Sequence, residues 1–254
     1  MEKLIVIKVG TNSIVTPGDR IRKKLLDNIA ESVRVIRKYG YRVIIVSSGA
    51  ISCGKIITKQ ALSDRAYAGI GQPSLMMHWQ EAFAKVDLVT AQGLYVNNNL
   101  HKKKNRQSTT KILSELLMAG IIPIINENDF VTDAETKDLF GFGDNDQLAS
   151  LIAIAKQAAY LFLLTTVDGV FSPETDLLIS ELHPYEKKIE NSLQTWKGES
   201  NGGMISKVKN AKTFVRSVQK SEAIIASFKE ANILFRAIIA KENIGTKIKR
   251  KFQR

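Results

Sequence analysis

Short apolar runs alternate along the chain with longer stretches whose apolar residues recur at helical spacing. The runs occupy residues 4–9, 42–46, 87–90, 121–125 and 160–165, and helices are predicted at residues 22–39, in the sixties, and at 74–85, 108–119 and 146–158. Such alternation is typical of βαβ units, and uninterrupted apolar runs are typical of parallel strands buried on both faces. The pattern predicts an α/β fold, an open, mostly parallel sheet sandwiched between helices in three layers.

The alternation weakens after residue 169. It recovers as a helix at residues 207–218, a strand at 223–226, and a segment at 232–240 that fits either a helix or a strand. No internal repeat or proline-rich linker interrupts the chain. We therefore expect one domain, with an N-terminal lobe over residues 1–142 and a C-terminal lobe over residues 143–254.

Polar clusters follow four of the predicted strands, at residues 10–13, 47–50, 126–129 and 165–169. In open parallel sheets, ligands bind beyond the carboxyl ends of the strands. These four loops are therefore expected to converge on one site. For the last of these loops an alternative explanation stays open, because Asp168-Gly169 is a pair that is common in ordinary turns.

The most informative cluster is Asp144-Asn145-Asp146, which precedes an apolar helix. A helix N-cap explains one of these acids, but a second carboxylate close by is repulsive unless a cation compensates it. A magnesium-nucleotide, a lysine pair or a substrate ammonium group would each do so. Asn126 and Asp129 form a second acidic and amide cluster of the same kind.

Two lysines supply the opposite charge. Lys8 ends a strand that is expected to be buried, where lysine is rarely found without a partner; it either reaches an anion or extends to the surface. Lys207 follows Gly202-Gly203 and a helix is expected to begin just after these glycines, where backbone amides bind phosphate. Acids, amides, lysines and glycines together predict a phosphoryl-transfer site.

Residues 49–56 fit the spacing of a P-loop up to the last position. A P-loop has a Ser or Thr there as a magnesium ligand, and Ile56 offers no such oxygen. We interpret Ser48-Gly49-Ala50 instead as a loop that donates backbone amides to an anion at a helix start. A tight structural turn is the alternative.

Composition narrows the class of protein. The 254 residues are 44% hydrophobic and carry a net charge of +12, but no apolar run approaches the roughly 20 residues of a membrane span. With no signal peptide at the N-terminus, a cytoplasmic protein without a membrane partner is expected. Much of the positive charge lies in residues 102–106 and 247–254, interpreted as solvated edges, so no nucleic-acid partner is expected. The single Cys53 is interpreted as a small buried residue.

These strings together closely resemble the glutamate 5-kinases of the amino acid kinase family. The resemblance covers nearly the whole chain, and its specific parts are residues 6–11, 46–51, 123–129, 143–146 and 202–204. It implies ATP-dependent phosphorylation of the γ-carboxylate of L-glutamate to L-glutamyl 5-phosphate, the first step of proline biosynthesis, with Mg²⁺ accompanying ATP. It also implies a homo-oligomer, dimer or tetramer, and a possible glutamyl phosphate reductase as partner.

The same resemblance implies a role for individual residues. Lys8 and Lys207 would neutralise the transferring phosphoryl group, Asp146 would orient both lysines, and Asp144 would lie close to the magnesium. The implied glutamate site consists of Ser48, Asn126, Asp129 and Asn145. The implied nucleotide site consists of Lys8, Gly10, Thr11, Thr165, Thr166, Asn201, Gly202, Gly203, Met204, Ile205, Ser206 and Lys207.

The chain departs from the family pattern in places. Thr166 stands where an Asp is usual, and residues 130–142 form a longer segment than usual beside the implied amino-acid pocket. No C-terminal PUA domain is expected. Two alternatives stay open: another amino acid kinase, acting on N-acetylglutamate or uridine monophosphate, or a non-enzymatic basic regulatory or RNA-associated protein on the same fold.

Overall fold

An eight-stranded sheet organises the part of the chain that the computed structural model describes, namely residues 3–16, 20–96, 100, 102–131, 145–195 and 201–250, with the backbone alone at 103, 188, 190, 194, 195, 201 and 202. The strands are β1 Leu4–Val9, β2 Arg42–Ser47, β3 Thr90–Tyr95, β4 Ile122–Glu127, β5 Tyr160–Thr165, β6 Glu181–Leu182, β7 Glu222–Ser227 and β8 Thr246–Lys249. Their order across the sheet is β3-β4-β2-β1-β5-β7-β8-β6. Every pairing between these strands is parallel except β7 with β8.

Helices cover both faces of the sheet. They are α1 Thr11–Ile14, α2 Lys23–Arg37, α3 Ala50–Ile57, α4 Asp64–Ala84, α5 Lys103–Met118, α6 Asn145–Ala155, α7 Lys188–Thr195, α8 Asn201–Ser217 and α9 Ile233–Ile238. One core lies under α1 to α4 and α9, and the other under α5 to α8. This confirms the predicted three-layer α/β fold. No described helix combines the length and apolar character needed to cross a bilayer. The division into two lobes stays a prediction.

The central strand β1 is buried along its whole length. Because side chains alternate across a strand, Ile5, Ile7 and Val9 enter one core and Leu4 and Val6 the other. Lys8 continues the second set. Its ammonium group is thereby directed to the face that carries α6 and α8.

Two predicted elements differ from the observed ones. The strand expected at residues 87–90 lies at Thr90–Tyr95, and Asp87 is in a turn with a positive φ of 57°. β3 lies at the sheet edge and is only partly buried, so its sequence lacks the continuous apolar run. The helices expected in the sixties and at 74–85 form the single helix α4, which passes through Pro73.

The interpretation of residues 247–254 as a solvated edge is wrong for their first part. Lys247 and Lys249 belong to β8, which inserts between β7 and β6, and the intervening Ile248 is fully buried. The lysines alternate with apolar positions as in a half-buried strand. Residues 251–254 lie outside the described part of the chain.

Gly54, one of the two glycines that suggested a P-loop, has a packing role. A Cβ at Gly54 would lie 2.0 Å from the carbonyl oxygen of Tyr67 on α4, and one at Gly71 would lie 2.0 Å from that of Ala50 on α3. Helices α3 and α4 therefore cross in backbone contact. Cys53, also on α3, is 1% exposed, which confirms its interpretation as a buried residue, and burial raises the pKa of its thiol to about 11.

Burial also raises the pKa of Glu222 on β7, and the nearby Lys247 and Lys249 only partly offset the effect. The folded state thus binds this proton more tightly than the unfolded state, whose carboxyl titrates near 4.5. Stability therefore falls as the pH rises from that value through the folded pKa.

We predict that Glu222→Gln raises the melting temperature at pH 8 and has a much smaller effect at pH 4. Glu115→Gln on the exposed side of α5 is the control; a lower melting temperature for Glu222→Gln at pH 8 would contradict the prediction.

Candidate active site

A buried cluster of three charges lies beyond the carboxyl end of β1. Lys8 Nζ is 2.7 Å from Asp146 Oδ1, and Lys207 Nζ is 3.1 Å from Asp146 Oδ2. The three side chains are 7%, 2% and 12% exposed in the order Lys8, Asp146, Lys207. Two ammonium groups on one carboxylate leave a net charge of +1. Because water screens this charge poorly, it favours a further anion.

Three elements hold the cluster. Lys8 comes from β1, while Asp146 is in the first turn of α6, where the helix dipole favours a carboxylate. Lys207 lies in the second turn of α8, and Ser150 Oγ on α6 donates to the carbonyl oxygen of Asn210 on α8 at 3.0 Å. The strand and two mutually packed helices thus fix the separation of the two lysines.

Three of the four residues predicted to bind the amino acid, Ser48, Asn126 and Asn145, form a hydrogen-bonded chain beside this cluster. Asn145 Nδ2 donates to Ser48 Oγ at 2.8 Å and to Asn126 Oδ1 at 3.2 Å. Asn126 Oδ1 also accepts from the backbone N–H of Glu127 at 2.9 Å. The ends of β2 and β4 and the start of α6 therefore meet, as the sequence predicted.

The turn between β2 and α3 has the conformation that its glycine allows. Gly49 has φ +114°, in the region that favours glycine, and α3 begins at Ala50. The Trp79 indole Nε1–H donates to Ser47 Oγ at 2.9 Å and so supports the turn from α4. The sequence gives no local signal for this contact, since the partner of the indole N–H is 32 residues away.

A cavity of about 290 Å³ joins the charge cluster to the amide chain. Its lining residues are Lys8, Thr11, Ser48, Gly49, Ala50, Ile51, Ser52, Glu127, Asp129 and Asn145. A mostly apolar cavity of about 650 Å³ adjoins it and shares Ala50, Glu127 and Asp129. Asp129 therefore lies on the wall that the two cavities share.

The structure brings together only some of the residues predicted to bind the nucleotide. Thr11 lines the cavity of about 290 Å³. Near the start of α8 lie Gly203, Met204, Ile205, Ser206 and Lys207. Thr166 instead lines a separate cavity of about 440 Å³ with Thr11, Arg22 and Lys55. Thr165 ends β5, and Gly10 follows β1, where an added Cβ would lie 3.5 Å from Lys8 Nζ.

The start of α8 differs from expectation. The helix begins at Asn201 rather than after Gly202-Gly203, so both glycines lie in its first turn. A Cβ at Gly203 would meet no described residue within 4 Å. Packing against the described part of the chain therefore does not require a glycine there.

The described residues do not form a metal cage. Among them, no group of three or more His, Cys, Asp and Glu side chains is placed to hold a metal ion, and both Asp146 oxygens face lysines. Asp144, the predicted magnesium neighbour, lies outside the described residues. Mg²⁺ that accompanies a nucleotide is usually bound through substrate phosphates, one or two carboxylates and water.

A lysine pair on one buried carboxylate, next to a helix start on a parallel sheet, is suited to phosphoryl transfer. The sequence profile of the amino acid kinase family matches residues 3–227, and the chain belongs to this family. It is 35% identical to the glutamate 5-kinase of Enterococcus faecalis over 96% of this chain and 93% of the relative.

A second relative, the glutamate 5-kinase of Trichlorobacter lovleyi, is 33% identical over 95% of this chain but only 66% of its own length. Among solved structures, carbamate kinase from Giardia lamblia bound to AMP-PNP superposes with a TM-score of 0.72 at 16% identity, covering 98% of this chain and 99% of the kinase. At that identity the likeness concerns the fold alone.

We predict that Asp146→Asn destabilises the protein by about 3–5 kcal/mol, because it leaves two poorly hydrated ammonium groups without their shared anion. The free energy of unfolding in urea measures the effect. Asp27→Asn is the matched control, since Asp27 pairs with the exposed Lys85 at 2.8 Å and such pairs contribute less than about 1 kcal/mol. Equal losses in the two variants would contradict the prediction.

Proposed function

We propose that the protein transfers the γ-phosphoryl group of ATP to the γ-carboxylate of L-glutamate, forming L-glutamyl 5-phosphate in the first step of proline biosynthesis. The observation that carries this proposal is the position of the Lys8–Asp146–Lys207 cluster directly beside a pocket lined by Ser48, Asp129 and Asn145. One part suits a transferring phosphate and the other an amino acid. The names of the relatives support the same acceptor.

The pocket offers acceptors for a substrate ammonium group. Asn145 Oδ1 is buried and, among the described residues, accepts no hydrogen bond. A buried acceptor left in this state costs about 1–3 kcal/mol, which a bound N–H donor removes. The Asp129 carboxylate on the same wall adds negative charge. N-acetylglutamate and uridine monophosphate carry no ammonium group, so this lining favours the free amino acid.

The proposed chemistry needs no general base, because the attacking carboxylate is already ionised. An oxygen of the γ-carboxylate forms a bond to the γ-phosphorus of ATP, and the bond from that phosphorus to the β,γ-bridging oxygen breaks. ADP leaves with the electron pair. Lys8 and Lys207 neutralise the charge on the transferring group while Asp146 keeps both ammonium groups in place, so the protein contributes positioning and electrostatic stabilisation. Mg²⁺ bound to ATP supplies further neutralisation.

We extend the proposal to a homo-oligomer, a dimer or tetramer. β3 lies at the edge of the sheet and pairs with β4 on one side only among the described strands. The apolar side chains of Val89, Leu94 and Ile112 are exposed there.

Because ATP and free glutamate are cytoplasmic metabolites, we place the reaction in the cytoplasm. Acyl phosphates hydrolyse readily, which favours a reductase partner that consumes the product.

The decisive experiment measures ADP release with ATP, Mg²⁺ and L-glutamate, with hydroxylamine present to trap an acyl phosphate as its hydroxamate. N-acetylglutamate, aspartate and uridine monophosphate are run in parallel. Hydroxamate from glutamate alone would support the proposal. Turnover with another acceptor only would reject the assignment of the pocket, and inactivity with all four would favour the regulatory alternative.

Lys8→Ala is expected to lower kcat by about 100-fold or more, since it removes one donor that stabilises the transition state. Steady-state kinetics with saturating glutamate and ATP measure this. Lys85→Ala removes an exposed lysine from the surface and is the control. A near-normal kcat for Lys8→Ala would exclude the lysine from the chemistry.

Asp129→Ala is expected to act mainly on glutamate binding. Loss of a charged partner for the ammonium group should raise the KM for glutamate by about tenfold or more, with a smaller change in kcat. The KM for ATP is the internal control. An equal increase in both KM values would show that Asp129 does not act on the amino acid alone.

A further inference from the structure

We propose that Gln72 on α4 is a positioning residue that makes the site select substrates with an α-ammonium group. It acts through Asn126 on Asn145, whose Oδ1 is then the atom presented to the ammonium. This inference rests on the proposed function and adds a residue that no sequence motif indicated.

The chain of hydrogen bonds begins at the backbone. The N–H of Glu127 donates to Asn126 at 2.9 Å. Because a backbone N–H is only a donor, the Asn126 atom facing it must be the carbonyl Oδ1. Asn126 Nδ2 therefore points the other way, where it donates to Gln72 Oε1 at 2.8 Å.

The orientation of Asn126 then determines that of Asn145. Asn126 Oδ1 can only accept, so the Asn145 atom 3.2 Å away must be the donor Nδ2. The same Nδ2 donates to Ser48 Oγ at 2.8 Å. Asn145 Oδ1 is thereby left as a buried acceptor without a partner among the described residues.

Gln72 matters because Asn126 has no alternative partner in water. Asn126 is 2% exposed, so loss of the acceptor at position 72 would leave its Nδ2 buried and unpaired. The side chain would have to rotate or leave its place. Either movement frees Asn145 to turn its own Nδ2 toward the substrate, and a donor there repels an ammonium group.

The fold places Gln72 firmly. Its neighbour Gly71 lies where α3 and α4 cross in close contact. A Cβ added at Gly71 would lie only 2.0 Å from the carbonyl oxygen of Ala50. This contact fixes the position of α4 relative to the start of α3, which follows the turn at Ser48. Gln72 also forms part of the wall of the 650 Å³ cavity, so its side chain reaches Asn126 from the apolar side.

The test compares L-glutamate with glutarate, which lacks only the α-ammonium group. We measure the ratio of the inhibition constant of glutarate, as a competitive inhibitor, to the KM of glutamate. Gln72→Met has similar volume without the acceptor and should reduce this ratio at least about tenfold, with the KM for ATP unchanged. Gln72→Glu retains an acceptor and should keep the ratio within a few-fold of wild type.

Gln92→Met is the matched control, since Gln92 lines the same apolar cavity from β3. Should Gln72→Met not fold, Gln72→Asn keeps the polarity but is too short to reach Asn126, and the same loss of the ratio is expected. A ratio equal to that of the wild type in Gln72→Met or in Gln72→Asn overturns the inference. A loss of the ratio in Gln72→Glu as large as that in Gln72→Met overturns it as well. Wild-type protein that does not phosphorylate glutamate would instead overturn the proposed function.

Discussion

The shared carboxylate of Asp146 is the constraint on which the site depends. β1 lies in the middle of the sheet and is buried throughout, yet its fifth residue is a lysine. A charge in such a place requires a partner from the covering layer, and the start of α6 provides it. The same carboxylate holds Lys207. One acid therefore ties the central strand to two helices and sets the charge of the cavity.

The glycines of this chain illustrate how one residue type serves different needs. Gly54 and Gly71 are required because two helices cross in backbone contact. Gly49 is required by its positive φ, and a Cβ at Gly203 would meet no described residue within 4 Å. A spacing of glycines alone cannot separate these cases, which is why residues 49–56 resemble a phosphate-binding loop while forming a helix.

Much of the fold can be predicted from the sequence because the central strands are visible in it as apolar runs. β1, β2, β4, β5 and β7 were all placed within about two residues, an ordinary uncertainty for element ends. β3, β6 and β8 were not, since the two edge strands and a strand with alternating lysines lack that run. Most of the candidate site residues were proposed from polar clusters at strand ends. Gln72 and the N–H of Trp79 were missed because their partners are distant in the chain and a lone amide or indole in an apolar helix gives no local signal.

The position of β8 has a consequence for the order in which the protein folds. β8 lies between β7 and β6, although it comes last of the three in the sequence. Until residues 246–249 take their place in the sheet, β7 has an open edge and β6 lacks the strand with which it pairs. The residues of the charge cluster and of the amide chain all precede β8 in the sequence. A folding chain can therefore assemble its binding site before β8 is in place, and at that stage the unpaired edge of β7 is open to pairing with another chain.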